Sequence, residues 1–204
     1  MSAFAKIDVK NNDLPAAVQD GFRRLFESKK IDALMVPWHL PANDTVMPTL
    51  ITDPEALDKA DPLAPCFPVN AAKMASRLTR TSSGKTVGLV LRPCEIRAFV
   101  ELVKLKQASL EDTVIISVDC LGACTNSDYH ARAEAAGGDD PMETTRQFCK
   151  EALGGTDIPD LAGACRVCEH PVAESADINI GLFGVDTDSQ ILVATSTVVE
   201  DFYS

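Results

Sequence analysis

The spacing of apolar residues along the chain changes several times, and each change marks an element. Val18, Phe22, Leu25 and Phe26 fall at i, i+4, i+7 and i+8, one face of a helix. Asp13 is placed to cap that helix, and Pro15 sits in its first turn. "IDALMVPW" then reads as a short strand. Residues 38–68 are rich in Pro, Asp and Thr and read as irregular structure. "VNAAKMASRLTR" has helical spacing, and "TSSGK" is a loop.

The pattern is sharpest over residues 86–118. "TVGLVL" and "DTVIISVD" are continuously apolar, as parallel strands buried on both faces are. Between them "CEIRAFVELVKLKQ" turns Ile96, Phe99, Val100 and Val103 to one side, with Arg97 and Glu101 able to pair outward. This is a βαβ unit. "CLGACTNSDYHARAEAAGGDD" reads mostly as loop, with room for a helical turn. A helix is expected from Asp140-Pro141 to Leu153, stopped by Gly154-Gly155. "DIPDLAGACRVCEHPVAESAD" has no long periodicity, and "INIGLFG" and "QILVATS" read as closing strands. The fold class is therefore mixed α/β, with a βαβ parallel core and irregular cysteine-bearing loops. An N-terminal α/β lobe over 1–80 and a cysteine-bearing lobe over 81–204 are expected to form one compact unit.

Charge narrows the partners. A net charge of −11 over 204 residues argues against a phosphate backbone or an anionic membrane surface as the ligand. No apolar run reaches 18 residues, so no membrane-crossing helix is expected. The first residues, "MSAFAKIDVKNND", have no apolar core of a secretory signal, so a cytoplasmic location is expected.

Cysteine carries the candidate chemistry. An odd count of seven in a chain without a signal speaks for metal ligation or redox chemistry over a disulfide framework. Cys94 and Cys120 follow the two strands of the βαβ unit. A right-handed crossover places both strand tips at one sheet edge, where open α/β sheets hold ligands. For neighbouring strands the thiols emerge roughly 5–10 Å apart. Cys94 also begins a helix, where the dipole favours a thiolate. "CRVC" adds Cys165 and Cys168, a spacing that lets two sulfurs meet one metal from a tight turn. Four such ligands suit an iron–sulfur cluster or a structural zinc. Cys124, in "CLGAC", is the alternate ligand. Cys66 and Cys149 read as structural thiols. Two buried thiols and a chance Cys-x-x-Cys without metal are the plain alternative.

Other chemistries find little support. There is no dinucleotide fingerprint, no complete phosphate loop beyond the fragment "SSGK", and no nucleophile elbow. His39, His130 and His170 show no metal spacing, and Glu111-Asp112 and Asp139-Asp140 read as turn and cap residues. No catalytic residue is assigned.

The segments "GLVLRPCEIRAFVELVKLKQ", "IISVDCLGAC" and "CRVCEHPVAESADINIGLFG", in that order, resemble the β-subunit family of deazaflavin-coenzyme-linked hydrogenases and formate dehydrogenases. In that family a Pro-Cys precedes a helix, a Cys-x-Gly ends the next strand, and a Cys-x-x-Cys precedes "ADI..G..G". "KIDALMVP" and the first helix extend the likeness to about residues 14–185. The resemblance implies a 4Fe-4S cluster and a flavin, normally FAD. The flavin would exchange a hydride with a soluble carrier such as a deazaflavin or nicotinamide. The cluster would pass electrons to an iron–sulfur subunit of a hydrogenase, formate dehydrogenase or heterodisulfide-reductase-like complex. Cys94, Cys120, Cys165 and Cys168 match the ligand positions; Cys124 and Cys149 have no clear counterpart. Lys85, Arg92 and Arg97 are the basic residues expected near the sheet edge, able to face an anionic cofactor. The chain lacks the repeated Cys-x-x-Cys-x-x-Cys segment and the length of many members. A flavin-free relay and a non-catalytic assembly subunit with structural zinc are the competing assignments.

Overall fold

A computed structural model describes residues 3–41, 45–137 and 140–195. Seven strands build one sheet: β1 (Ala3–Asp8), β2 (Ala33–His39), β3 (Val46–Ile51), β4 (Val87–Val90), β5 (Thr113–Val118), β6 (Ile178–Gly181) and β7 (Gln190–Thr195). Their order is β1-β7-β6-β5-β4-β2-β3. The four central strands, β6, β5, β4 and β2, run parallel. Antiparallel partners close both flanks, β3 beside β2 and β7 with β1 beside β6. The sheet therefore runs through both segments on either side of residue 80.

Helices cover both faces, and the strand period of two divides the core between them. Leu34, Val36, Ile116 and Ile178 pack with Val18, Phe22 and Leu25 of α1 (Leu14–Glu27). Ala33, Met35, Leu89 and Ile115 pack on the other side. There they meet α2 (Ala71–Thr79) and α3 (Pro93–Lys104) through Ala72, Ala75, Ile96 and Phe99. Asp13 caps α1 as expected, its Oδ1 accepting from the Ala16 amide at 3.1 Å. On the outer face of α3, Glu101 pairs with Lys104 at 2.7 Å.

The structure corrects two local expectations and adds a first strand. Residues 38–68 contain β3 and a 3-10 helix (Pro54–Lys59). β3 carries Pro48 opposite Pro37 of β2, tolerable because β3 is the sheet's edge. "AFAKID" is β1, the opposite edge. The segment after "CLGAC" forms a helix of 11 residues, α4 (Asn126–Ala136), in which only Tyr129 is buried. A helix that polar has no apolar stripe to announce it. It starts because Thr125 Oγ1 accepts the Asp128 amide at 3.3 Å. The remaining helices are α5 (Glu143–Leu153) and the single turn α6 (Gly163–Arg166). Asp140 accepts from the Met142 amide ahead of α5, while Asp139 lies outside the described residues.

Candidate functional site

The β4–α3–β5 unit places Cys94 and Cys120 at the C-terminal tips of adjacent parallel strands. Cys94 is the second residue of α3 and is exposed; Cys120 lies just past β5 and is half-buried. The start of α3 is fixed by Glu95, which is 5% exposed. Its carboxylate accepts the Arg92 amide at 3.0 Å and the Ala71 amide at 2.7 Å, joining the N-termini of α3 and α2.

The loop after β5 is stitched to three other segments. Asp119 N–H donates to Ile180 O of β6, Cys120 N–H to Pro171 O, and Cys124 N–H to Pro65 O. Asp119 Oδ2 accepts the amides of Leu182 and Phe183 at 2.9 and 3.1 Å. Leu161 bridges Cys124, and Ala162 N–H donates to Ala123 O at 2.8 Å. These bonds bring α6 against the loop, and α6 carries Cys165. Gly122 makes the approach possible. Its φ is +102°, and a Cβ there would stand 2.9 Å from Leu161 Cδ2 and 3.7 Å from the Cβ of Cys165. Cys168 follows at the end of a tight turn in which its amide donates to Cys165 O.

Cys120 is thus within electrostatic reach of Cys94, Cys165 and Cys168. Burial pushes the Cys94 and Cys120 thiols up. Charge on neighbouring groups adds to this, Glu95, Cys120 and Cys165 for Cys94, and Cys165 and Cys168 for Cys120. Arg92 acts the other way on both, and the Gly122 amide donates toward Cys120. Among the described residues, no three His, Cys, Asp or Glu side chains already stand at metal-ligand spacing. The chemistry of these residues fits a thiolate-bound metal: they offer soft sulfurs, a helix N-terminus at Cys94 and an amide directed at Cys120.

The remaining cysteines stand apart. Cys124 packs with Phe148 and Ile158, and its thiol faces Asp160 Oδ2 at 3.6 Å. Burial, then the Asp160 charge, pushes it up to about 12. Cys149 is buried and pushed far up by desolvation. Cys66 is buried with Val46, Ala64 and Tyr129, and is also raised by desolvation. The alternate ligand Cys124 is therefore turned to a carboxylate and an apolar cluster.

Of the three basic residues expected at this edge, one is misplaced. Lys85 enters β4 at its N-terminal end, the edge opposite Cys94 and Cys120. Sequence adjacency to the strand hides which end a loop serves. Arg97 is exposed one turn into α3. Arg92 Nη2 is taken up by two carbonyls, Ala64 O and Cys66 O, each at 2.7 Å. The two clefts beside Arg92 hold about 10 Å³ each, too small for a flavin ring. The three basic residues therefore do not stand together at one edge.

Sequence reading also missed a charged latch under the loop. Arg132 of α4 grips Asp160 through Nε and Nη2, and Glu151 of α5 through Nη1 at 2.8 Å. The Arg132 hydrogen bonds hold the Asp160 carboxyl below its usual range. An unfolded carboxyl titrates near pH 4. The Asp160 contribution is complete above that value and is lost as pH falls through its lower folded value. Asp160→Asn is expected to reduce stability at neutral pH and to flatten the acid side of the stability curve, measured by urea titration from pH 3 to 7 (about the carboxylate range).

The fold and this edge define an α/β protein with a cysteine-bearing edge at the C-terminal tips of its parallel strands. No family model matches the chain. Over 109 residues, 52% of the chain, it is 28% identical to the F420-dependent formate dehydrogenase subunit beta of Methanocaldococcus jannaschii. That match spans 27% of the relative, about a quarter of its length. The structure is also similar to a chain of the xenon-derivatised F420-reducing NiFe hydrogenase complex of Methanosarcina barkeri. There the TM-score is 0.64 at 14% identity, covering 98% of this chain and 77% of that one. The second likeness shows a shared fold, and the first supports, at low identity, the resemblance to the deazaflavin-linked β-subunit family. No helix among the described residues is long and apolar enough to cross a membrane.

Proposed function

We propose that this chain is an electron-transfer subunit of an oxidoreductase complex, with Cys94, Cys120, Cys165 and Cys168 holding one 4Fe-4S cluster. It would serve electron passage between a two-electron carrier, of deazaflavin or nicotinamide class, and an iron–sulfur partner subunit. The observation that carries the proposal is that Cys120, at the strand tip beside Cys94, has Cys94, Cys165 and Cys168 within electrostatic reach, with Gly122 letting the Cys165 segment approach its loop. The names of the two similar proteins, a formate dehydrogenase subunit and a hydrogenase complex, support the class of partner. Seven free cysteines suit a reducing compartment, the cytoplasm.

When bound, such a cluster supplies one-electron chemistry. The chain's own residues provide the setting. Helix α3 turns its positive end toward Cys94, and the Gly122 amide faces Cys120. Burial around Cys120 limits water. A flavin, implied by the family resemblance, would need a site other than Lys85, Arg92 and Arg97.

Anaerobically purified protein is expected to be brown, with a broad band near roughly 400 nm that bleaches on reduction. A colourless protein carrying one zinc would instead make the same four thiolates a structural site. Fluorescence of acid-released flavin separates a flavoprotein from a cluster-only relay.

A further inference from the structure

Arg92 does more than precede Cys94. Its backbone starts α3, and its guanidinium reaches across to residues 62–67. Nη2 donates to both Ala64 O and Cys66 O, and the guanidinium carbon lies 5.1 Å from the centre of the Phe67 ring. Nη1 is buried and has no hydrogen-bond partner. The adjoining cleft is lined by Ala64 on one side and by Asp119, Cys120 and Gly122 on the other. Among the described residues Arg92 forms no ion pair. The nearby carboxylates are engaged elsewhere, Glu95 by two amides and Asp119 by two more. A cation is therefore held, half-buried and without an ion-pair partner among the described residues, between the Cys120 loop and the residues 62–67. An unpaired buried donor is costly, so its retention calls for a task.

We propose that Arg92 is a positioning residue that fixes one positive charge at the edge of the four-cysteine site and thereby raises the reduction potential of the group held there. The inference rests on the cluster assignment above. Adding an electron increases negative charge at the sulfurs, and a fixed cation in a water-poor setting favours that state. The planar guanidinium is needed because one nitrogen serves two carbonyls while another stays buried without a partner. A lysine keeps the charge but not the fork.

The test is an EPR-monitored redox titration of anaerobically purified wild type, Arg92→Gln and Arg92→Lys, with iron content and circular dichroism on the same samples. The expected result is a more negative midpoint for Arg92→Gln, with Arg92→Lys between it and wild type. Folded Arg92→Gln that loses iron while Arg92→Lys retains it also supports a requirement for the charge. Equal midpoints in wild type and Arg92→Gln overturn the inference and leave the cluster assignment standing. Arg92→Lys falling as far as Arg92→Gln overturns it too, since loss of the tether then explains both. The same holds if both variants fold but lose iron. Wild type without iron overturns the cluster assignment and this inference together.

Discussion

Cys120→Ser protein purified anaerobically is expected to have lost most of its iron, while Cys124→Ser keeps it. The two residues share one short loop, and spacing alone does not separate them. Their surroundings do. Cys120 is half-buried beside Cys165 and Cys168, with an amide directed at it. Cys124 is turned into a small apolar cluster and faces Asp160. Changes next to a metal ligand commonly cost 10–100-fold in affinity, so removing a ligand is expected to cost at least about tenfold. Cys94→Ser, Cys165→Ser and Cys168→Ser follow Cys120→Ser. Cys66→Ser and Cys149→Ser retain iron and lose roughly 1–2 kcal/mol of stability, because each puts a hydroxyl into a buried thiol's place. Iron loss from Cys124→Ser, with iron kept in Cys120→Ser, would reverse the ligand assignment.

The second large effect lies in the core. Asp61 is fully buried, and its Oδ2 meets His39 Nε2 at 2.8 Å and the Thr145 hydroxyl at 2.5 Å. Its backbone amide donates to Pro37 O. The group joins the tip of β2 to α5 across the 3-10 segment. Asp61→Ala leaves a buried imidazole and a buried hydroxyl without their shared partner, and removing one member of such a buried set costs about 3–5 kcal/mol. Thr145→Val removes one hydrogen bond and is expected to cost about 1 kcal/mol. Urea unfolding, with the midpoint falling and the slope unchanged, measures both. An Asp61→Ala protein within about 1 kcal/mol of wild type would show the network to be energetically idle.

Legibility in the sequence followed the range of the forces involved. The pairing of Cys94 with Cys120 could be read directly, because crossover handedness and strand spacing are general rules that act within one βαβ unit. The helix ends set by Asp13 and by Gly154-Gly155 were equally local. The edge strand β3 was hidden by Pro48, which breaks the strand pattern but not an edge strand. Helix α4 was hidden because it has almost no buried face. The approach of Cys165 to the Cys120 loop depends on Gly122 in a left-handed conformation against Leu161, a contact between distant segments. A glycine between two cysteines was the available signal. Nothing in the sequence marked the Arg132–Asp160 latch, whose partners stand 28 residues apart among many surface charges. Basic residues near a strand were likewise ambiguous as to edge, which is how Lys85 came to be expected beside Cys94.

Iron and acid-labile sulfide per chain, measured on anaerobically purified wild-type protein together with its EPR spectrum after reduction, test the central claim most directly. The expected result is about four irons and four sulfides per chain, with a reduced signal of a single 4Fe-4S cluster. Protein that is folded but carries neither iron nor sulfide, or that carries stoichiometric zinc, would contradict it.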